Sequence, residues 1–338
     1  MQFAHESKTS TADMPVYHVL ALSGGGYRGL FTATILRQLE EVLGQPLARH
    51  FDLICGTSAG GLLALGLAAE VPAVELQAMF ETDGKKIFGK RSWWRRWVGF
   101  YLKAKHSSEG LREVLTAKFG DKLIGNLKHR VLIPAVNYTT GKGQFFKTPH
   151  HPSFELDHKL SIVDVGLATA AAPVYFPIAR NPRGAFVDGG LVGNAPGFFG
   201  LHEVKHFLAG NGPAKIRVLS IGTMTNGATM KGSAKLDRGL VQWGPRLFDL
   251  VISAQESSVD YMLKQILQDD YVPVDEKPTP DQSEDVKALD EVTQAATNTL
   301  KDRAAHTFQR VLGEPRFQPF RTHIAKAPTF YHGPNKNS

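Results

Sequence analysis

Two apolar runs early in the chain each break off into glycine: VYHVLAL (16–22) stops at SGGGYRG, and FDLICG (51–56) stops at TSAGG. Both are apolar and favour extended backbone, the pattern of strands. Between them Ile35, Leu36, Leu39, Val42 and Leu43 recur at helical spacing, and Gly44 followed by Pro46 supplies a stop. The pattern is strand, helix, strand. HRVLIPAVNY, GAFVDG and IRVLSIG read as further strands with helical stretches between them. An α/β domain built on a largely parallel sheet is therefore expected over residues 15–225.

Beyond it, PRLFDLVISAQESSVDYMLKQILQ and SEDVKALDEVTQAATNTLKDRAAHTFQRVL read as two long helices separated by the Pro- and Asp-rich stretch 269–283. They predict a helical C-terminal addition over 226–312. Residues 1–14 are polar and read as a mobile segment; 313–338 form a tail without periodicity. No run approaches the roughly 18 apolar residues of a spanning helix, and the start lacks an apolar signal core. The expectation is a cytoplasmic protein.

Composition narrows the chemistry. With 42% hydrophobic and 21% charged residues in 338, the chain is globular. A single cysteine, Cys55, excludes an internal disulfide and a cysteine-built zinc cluster. Net charge +7 favours partners that carry phosphate. No nucleic-acid-binding module accompanies it, so nucleic acid is not expected. Nothing in the chain speaks to oligomeric state.

Gly56-Thr57-Ser58-Ala59-Gly60 is a G-x-S-x-G turn lying directly after an apolar strand and directly before the helix GLLALGLAAE. In so tight a bend, side chains two before and two after the serine would clash, which accounts for the glycines. Ser58 is the candidate nucleophile, placed at a helix N-terminus whose dipole favours a developing alkoxide. Ser23 to Gly29 closes the first strand and opens a helix, so the backbone N–H groups of Gly25 and Gly26 can converge on an oxyanion, with Arg28 either near a substrate phosphate or paired structurally with a carboxylate. The same glycines fit G-x-G-x-x-G, but the second strand ends in GTSAGG instead of the acidic residue that a dinucleotide fold requires.

A serine needs a base. None of the thirteen histidines occupies a turn that recommends it, whereas Asp188 in FVDGG ends an apolar strand, with two glycines that allow close approach. His202 and His206 in HEVKH satisfy H-E-x-x-H, yet the extended pattern fails at Ala209, so a zinc hydrolase is the competing mechanism and no metal is expected.

SGGGYRG, GTSAGG and FVDGG, in that order, together with ATAAAPVYFP (168–177), resemble the signature motifs of patatin-like phospholipases. The resemblance implies a three-layer α/β patatin-like hydrolase core, a Ser58–Asp188 dyad, an oxyanion hole made by the backbone of Gly24, Gly25 and Gly26, and no cofactor. Family members usually begin the glycine loop with Asp, where this chain has Ser23. The helices after residue 245 resemble a bacterial subgroup of cyclic-dinucleotide-activated effectors in anti-phage defence. That implies gating by a messenger such as cyclic GMP-AMP, a membrane phospholipid substrate and association with the inner membrane when active. An ungated housekeeping lipase is the alternative. Lys85 to Lys105, with Arg95 and Arg96 among Trp93, Trp94 and Trp97, carries no acidic residue and suits docking on an anionic bilayer.

Overall fold

In a computed structural model, which describes residues 14–89, 104–225, 237, 240–279 and 281–337, the two glycine-ended runs form neighbouring strands, β1 (Val16–Leu22) and β2 (Leu53–Gly56). Val19 to Leu22 and Leu53 to Cys55 have no exposed surface. On β1, Leu20 and Leu22 face one apolar cluster, while Val19 and Ala21 face another on the opposite side of the sheet. The unbroken apolar runs follow from this double burial. The helix between them, α1 (Gly29–Leu43), ends at Gly44 in the left-handed conformation, φ 68°, as the Gly-Pro punctuation predicts.

Further strands are β3 (Val131–Asn137), β4 (Lys142–Lys147), β5 (Ala179–Asn181), β6 (Gly184–Asp188), β7 (Lys215–Ile221) and β8 (Tyr271–Val274). The sheet runs β5-β6-β3-β2-β1-β7-β8, with β4 also on β3. Five strands from β3 to β8 are parallel; β4 and β6 run antiparallel to β3, and β5 antiparallel to β6. One face is covered by α1, α2 (Ala59–Ala68), α3 (Ala73–Ile87), α4 (Glu109–Phe119) and α5 (Ile162–Thr169). Short α6 (Gly190–Gly193), α7 (Gly197–Glu203) and α8 (Leu240–Leu267) lie on the other side of the chain's path, with Val204 and Leu263 in the second cluster. The result is a three-layer α/β fold.

The C-terminal segment differs from its purely helical expectation. YVPV, inside the stretch expected as a connection, adds β8 to the sheet beside β7. The second long helix, α9 (Gln294–Leu312), starts at a Thr293 cap instead of near Ser283 and packs on α1. The turns before it fold over the glycine loop, where the Tyr27 N–H donates to Leu289 O at 2.7 Å. After α10 (Gln318–Thr322) the tail is held by hydrogen bonds from Ala325 to Arg49 O and from Tyr331 to Pro149 O. Residues 1–13, and 90–103 with Arg95 and Arg96, lie outside the described residues.

One detail of register positions the site. Along β3, β2 pairs with Val131 and Leu132, and β6 pairs with Ala135 to Asn137, while β4 runs beside positions 132 to 137. Since β4 fills one edge, β2 and β6 share the other, end to end. One is parallel to β3 and one antiparallel, so their carboxyl ends face each other across a gap at Ile133–Pro134. A proline in mid-sheet normally forfeits a ladder bond. Here its missing N–H faces no strand, and its carbonyl accepts the Thr169 hydroxyl at 2.6 Å.

Candidate active site

The two strand ends that meet at this gap carry Ser58 and Asp188. Gly56 and Gly60 make the first turn feasible: a Cβ on Gly56 would lie 2.2 Å from Gly60 O, and one on Gly60 would lie 2.3 Å from Leu22 O. Ser58 itself sits at φ 54°, ψ −125°, a backbone region that L-residues avoid and that costs on the order of 1–3 kcal/mol unless the surroundings hold it. The hold is visible. The Ser58 N–H donates to Thr169 Oγ1 at 3.0 Å, Thr169 is tied to Pro134, and the Thr57 hydroxyl donates to Gly193 O at 2.7 Å.

Projected from this bend, Ser58 Oγ donates to Asp188 Oδ2 at 2.8 Å. The Gly190 N–H donates to the other carboxylate oxygen at 2.6 Å. Asp188 is 2% exposed. Burial pushes its pKa up from 3.8 to about 7, against the opposing pull of the Gly190 N–H and the Ser58 hydroxyl. A carboxylate poised there can take a proton at neutral pH and give it back.

Facing Ser58, the glycine loop is fixed by its neighbours. The Gly24 N–H donates to Asn194 O at 3.2 Å, and Gly24 O accepts from Asn194 Nδ2 at 3.0 Å. Of the three expected oxyanion donors, Gly24 is therefore already engaged; the N–H groups of Gly25 and Gly26 have no acceptor among the described residues. Gly26 adopts φ 57°, and a Cβ on it would lie 2.2 Å from Leu289 O, so only glycine fits.

Ser58, Asp188 and the glycine loop open into a cavity with apolar walls that include Leu62, Phe80, Phe176, Phe248 and Ile252. Arg28 also lines it, 7% exposed; among the described residues its Nε donates no hydrogen bond and its guanidinium forms no salt bridge. Burial pulls its pKa below the ordinary range, and the charges of Glu256 and Asp249 oppose that pull. Among the described residues no histidine lines the cavity. Sequence reasoning missed Thr169 and Asn194, whose roles come from hydrogen bonds across the chain, and missed that α8 covers the site: Glu256 accepts from Asn194 Nδ2 at 2.7 Å, and Gln255 donates to Leu191 O at 2.8 Å.

The H-E-x-x-H segment behaves differently from a zinc site. Glu203, 1% exposed, is turned into a buried cluster, accepting from Lys147 Nζ at 2.6 Å and contacting His150 Nε2 at 3.0 Å. It is thereby removed from His202 and His206. Among the described residues no three His, Cys, Asp or Glu groups are placed to hold a metal ion, and no helix is long and apolar enough to cross a membrane.

Comparison with known proteins agrees with this geometry. Residues 20–197 match the patatin-like phospholipase family. A protein of Pseudomonas aeruginosa named cGAMP-activated phospholipase is 71% identical over 324 residues, covering 96% of this chain and 97% of that one. Proteins of the same name from Vibrio cholerae and Escherichia coli are 38% and 40% identical, covering 72% and 64% of this chain and 76% and 65% of theirs. A strained serine turn bonded to a buried aspartate, under a glycine loop and at the mouth of an apolar cavity, thus sits in a chain that belongs to the patatin-like phospholipase family.

Proposed function

We propose that this chain hydrolyses phospholipid ester bonds through an acyl-enzyme on Ser58, and that a cyclic dinucleotide such as cyclic GMP-AMP switches it on in bacterial anti-phage defence. The 2.8 Å contact from Ser58 Oγ to Asp188 inside an apolar cavity carries the chemical part; the name of the 71% identical relative supports the gating.

In this reading Ser58 Oγ attacks the ester carbonyl while its proton passes to Asp188 Oδ2. The oxyanion is received by the N–H groups of Gly25 and Gly26, where preorganised donors contribute on the order of 3 kcal/mol each. Collapse of the intermediate expels the alcohol, which takes the proton from Asp188. Water, deprotonated by Asp188 in turn, then releases the fatty acid. Arg28 holds the lipid phosphate. The basic aromatic stretch, through Arg95 and Arg96, brings the enzyme to the inner membrane, with residues 15–225 as the catalytic unit and 226–312 as the addition that roofs it.

Phospholipid hydrolysis measured with and without a panel of cyclic dinucleotides tests both parts. Turnover that needs a nucleotide, and that Ser58→Ala and Asp188→Asn each abolish, is expected. Equal turnover without nucleotide would leave an ungated lipase, and retained turnover in either variant would remove the dyad.

A further inference from the structure

One sequence motif remains outside the chemistry of the dyad: the basic face of His202, Lys205 and His206. With Glu203 turned inward, these three residues stand together at i, i+3 and i+4 spacing. The helix here is irregular. Val204–Leu208 winds as a π-helix, closed by the Ala209 N–H on Val204 O at 2.8 Å. Such wide turns are rare and concentrate at functional sites. Across this one the His202 and His206 rings lie 4.4 Å apart, and Lys205 has no carboxylate partner among the described residues. Burial first, and then the neighbouring His206, hold His202 below its ordinary range.

The three residues rim a cavity of about 520 Å³, within the usual range for small-molecule sites. Its lining is otherwise largely apolar, with Leu201, Ile216 and Ile266, and no acidic residue among the described residues lines it. Ile266 and Leu267 belong to α8, the helix that presents Phe248 and Ile252 to the catalytic cavity. At 1.5 Å per residue, Ile252 and Ile266 stand about 21 Å apart on one rod. One helix contributes residues to both cavities.

An occupant suited to this place has a flat apolar body and more than one negative charge. A cyclic dinucleotide has both in its two bases and two phosphodiesters, whereas a fatty acid offers a single carboxylate. We infer that this cavity binds the activating cyclic dinucleotide, with its bases on the apolar lining and its phosphodiesters on His202, Lys205 and His206, and that α8 carries its arrival to the catalytic cavity. The inference rests on the nucleotide gating proposed above.

The test is calorimetric titration of the full-length protein with 3′,3′-cyclic GMP-AMP, alongside lipid hydrolysis over the same concentrations. The double variant His202→Ala, Lys205→Glu should bind about tenfold or more weakly, the loss expected for charge-assisted contacts, and its half-maximal activation should move by the same factor. Its unfolding temperature without nucleotide should match the parent's, since both positions lie at the surface. Lys264→Glu, on α8 but outside the cavity, should bind as the parent does. If the parent binds nucleotide and the double variant binds equally well, the cavity assignment falls and the gating stands. If the parent binds none of the nucleotide, the gating falls and the assignment with it. If the variant keeps its nucleotide affinity but loses oleate, the cavity serves the fatty-acid product, and the inference is overturned.

Discussion

The buried aspartate sets the pH at which Ser58 can be activated. Only the carboxylate accepts the serine proton, and burial places the Asp188 pKa at about 7 instead of 3.8. Hydrolysis of a short soluble ester should therefore rise with pH and level off above 7. Each unit below the pKa removes about nine-tenths of the reactive form, so kcat/KM at pH 5 should be about one hundredth of its plateau. An aspartate at its ordinary pKa would be ionised throughout this range and give a flat profile. The same shift has a cost in stability. Because the folded-state pKa lies above the unfolded one, folding favours the neutral acid; the penalty is absent below pH 3.8, grows between 3.8 and about 7, and is constant above. At 1.36 kcal/mol per unit it reaches about 4 kcal/mol. Asp188→Asn should then be inactive yet melt higher than the parent at pH 8, with the gap closing toward pH 4. The assays are initial rates on a chromogenic ester and thermal unfolding by circular dichroism at each pH. A flat rate profile from pH 5 to 8 in a folded protein would refute the assignment of Asp188 as base.

Three further outcomes follow from the geometry. Gly60→Ala places a Cβ 2.3 Å from Leu22 O and 2.6 Å from Ser23 O, both backbone, so urea unfolding should show a loss on the order of 1–3 kcal/mol; an unchanged midpoint would mean that the turn is looser than described. EDTA should leave ester turnover unchanged, and inhibition reversed by added zinc would reopen the metal mechanism. Arg95→Glu with Arg96→Glu should weaken activity on anionic vesicles by about 1 kcal/mol or more per residue while sparing a short ester, and equal loss on both substrates would show that the arginines do not act in docking.

The candidate site is legible in the sequence because each part leaves a local mark. An apolar strand ending in GTSAG and another ending in DGG are short enough to be read without long-range contacts. What was hidden depends on pairing across the chain. YVPV is four residues set among aspartates and prolines, too short for periodicity, and it becomes a strand only because β7 offers an open edge. Thr169 and Asn194 look like ordinary polar residues until Thr169 is seen under Ser58 and Asn194 against Gly24. Pro134 is the sharpest case. In sequence it argues against a central strand, and only the gap between β2 and β6 shows why it is tolerated there. The Gly24 N–H was read as free because nothing in SGGGYRG reveals the carbonyl of Asn194.

The end-to-end meeting of β2 and β6 along one edge of β3 bears on how such an enzyme can be kept quiet. The spacing of Ser58 and Asp188 is set by backbone ladders in mid-sheet, the part of a fold that opens least readily. A regulator has little leverage over that spacing short of melting the sheet. Its leverage lies in the cavity, whose walls Phe248 and Ile252 share with Ser58 and Asp188. Idle molecules should accordingly leak on esters small enough to slip past, and spare the bilayer whose lipids are too long to enter.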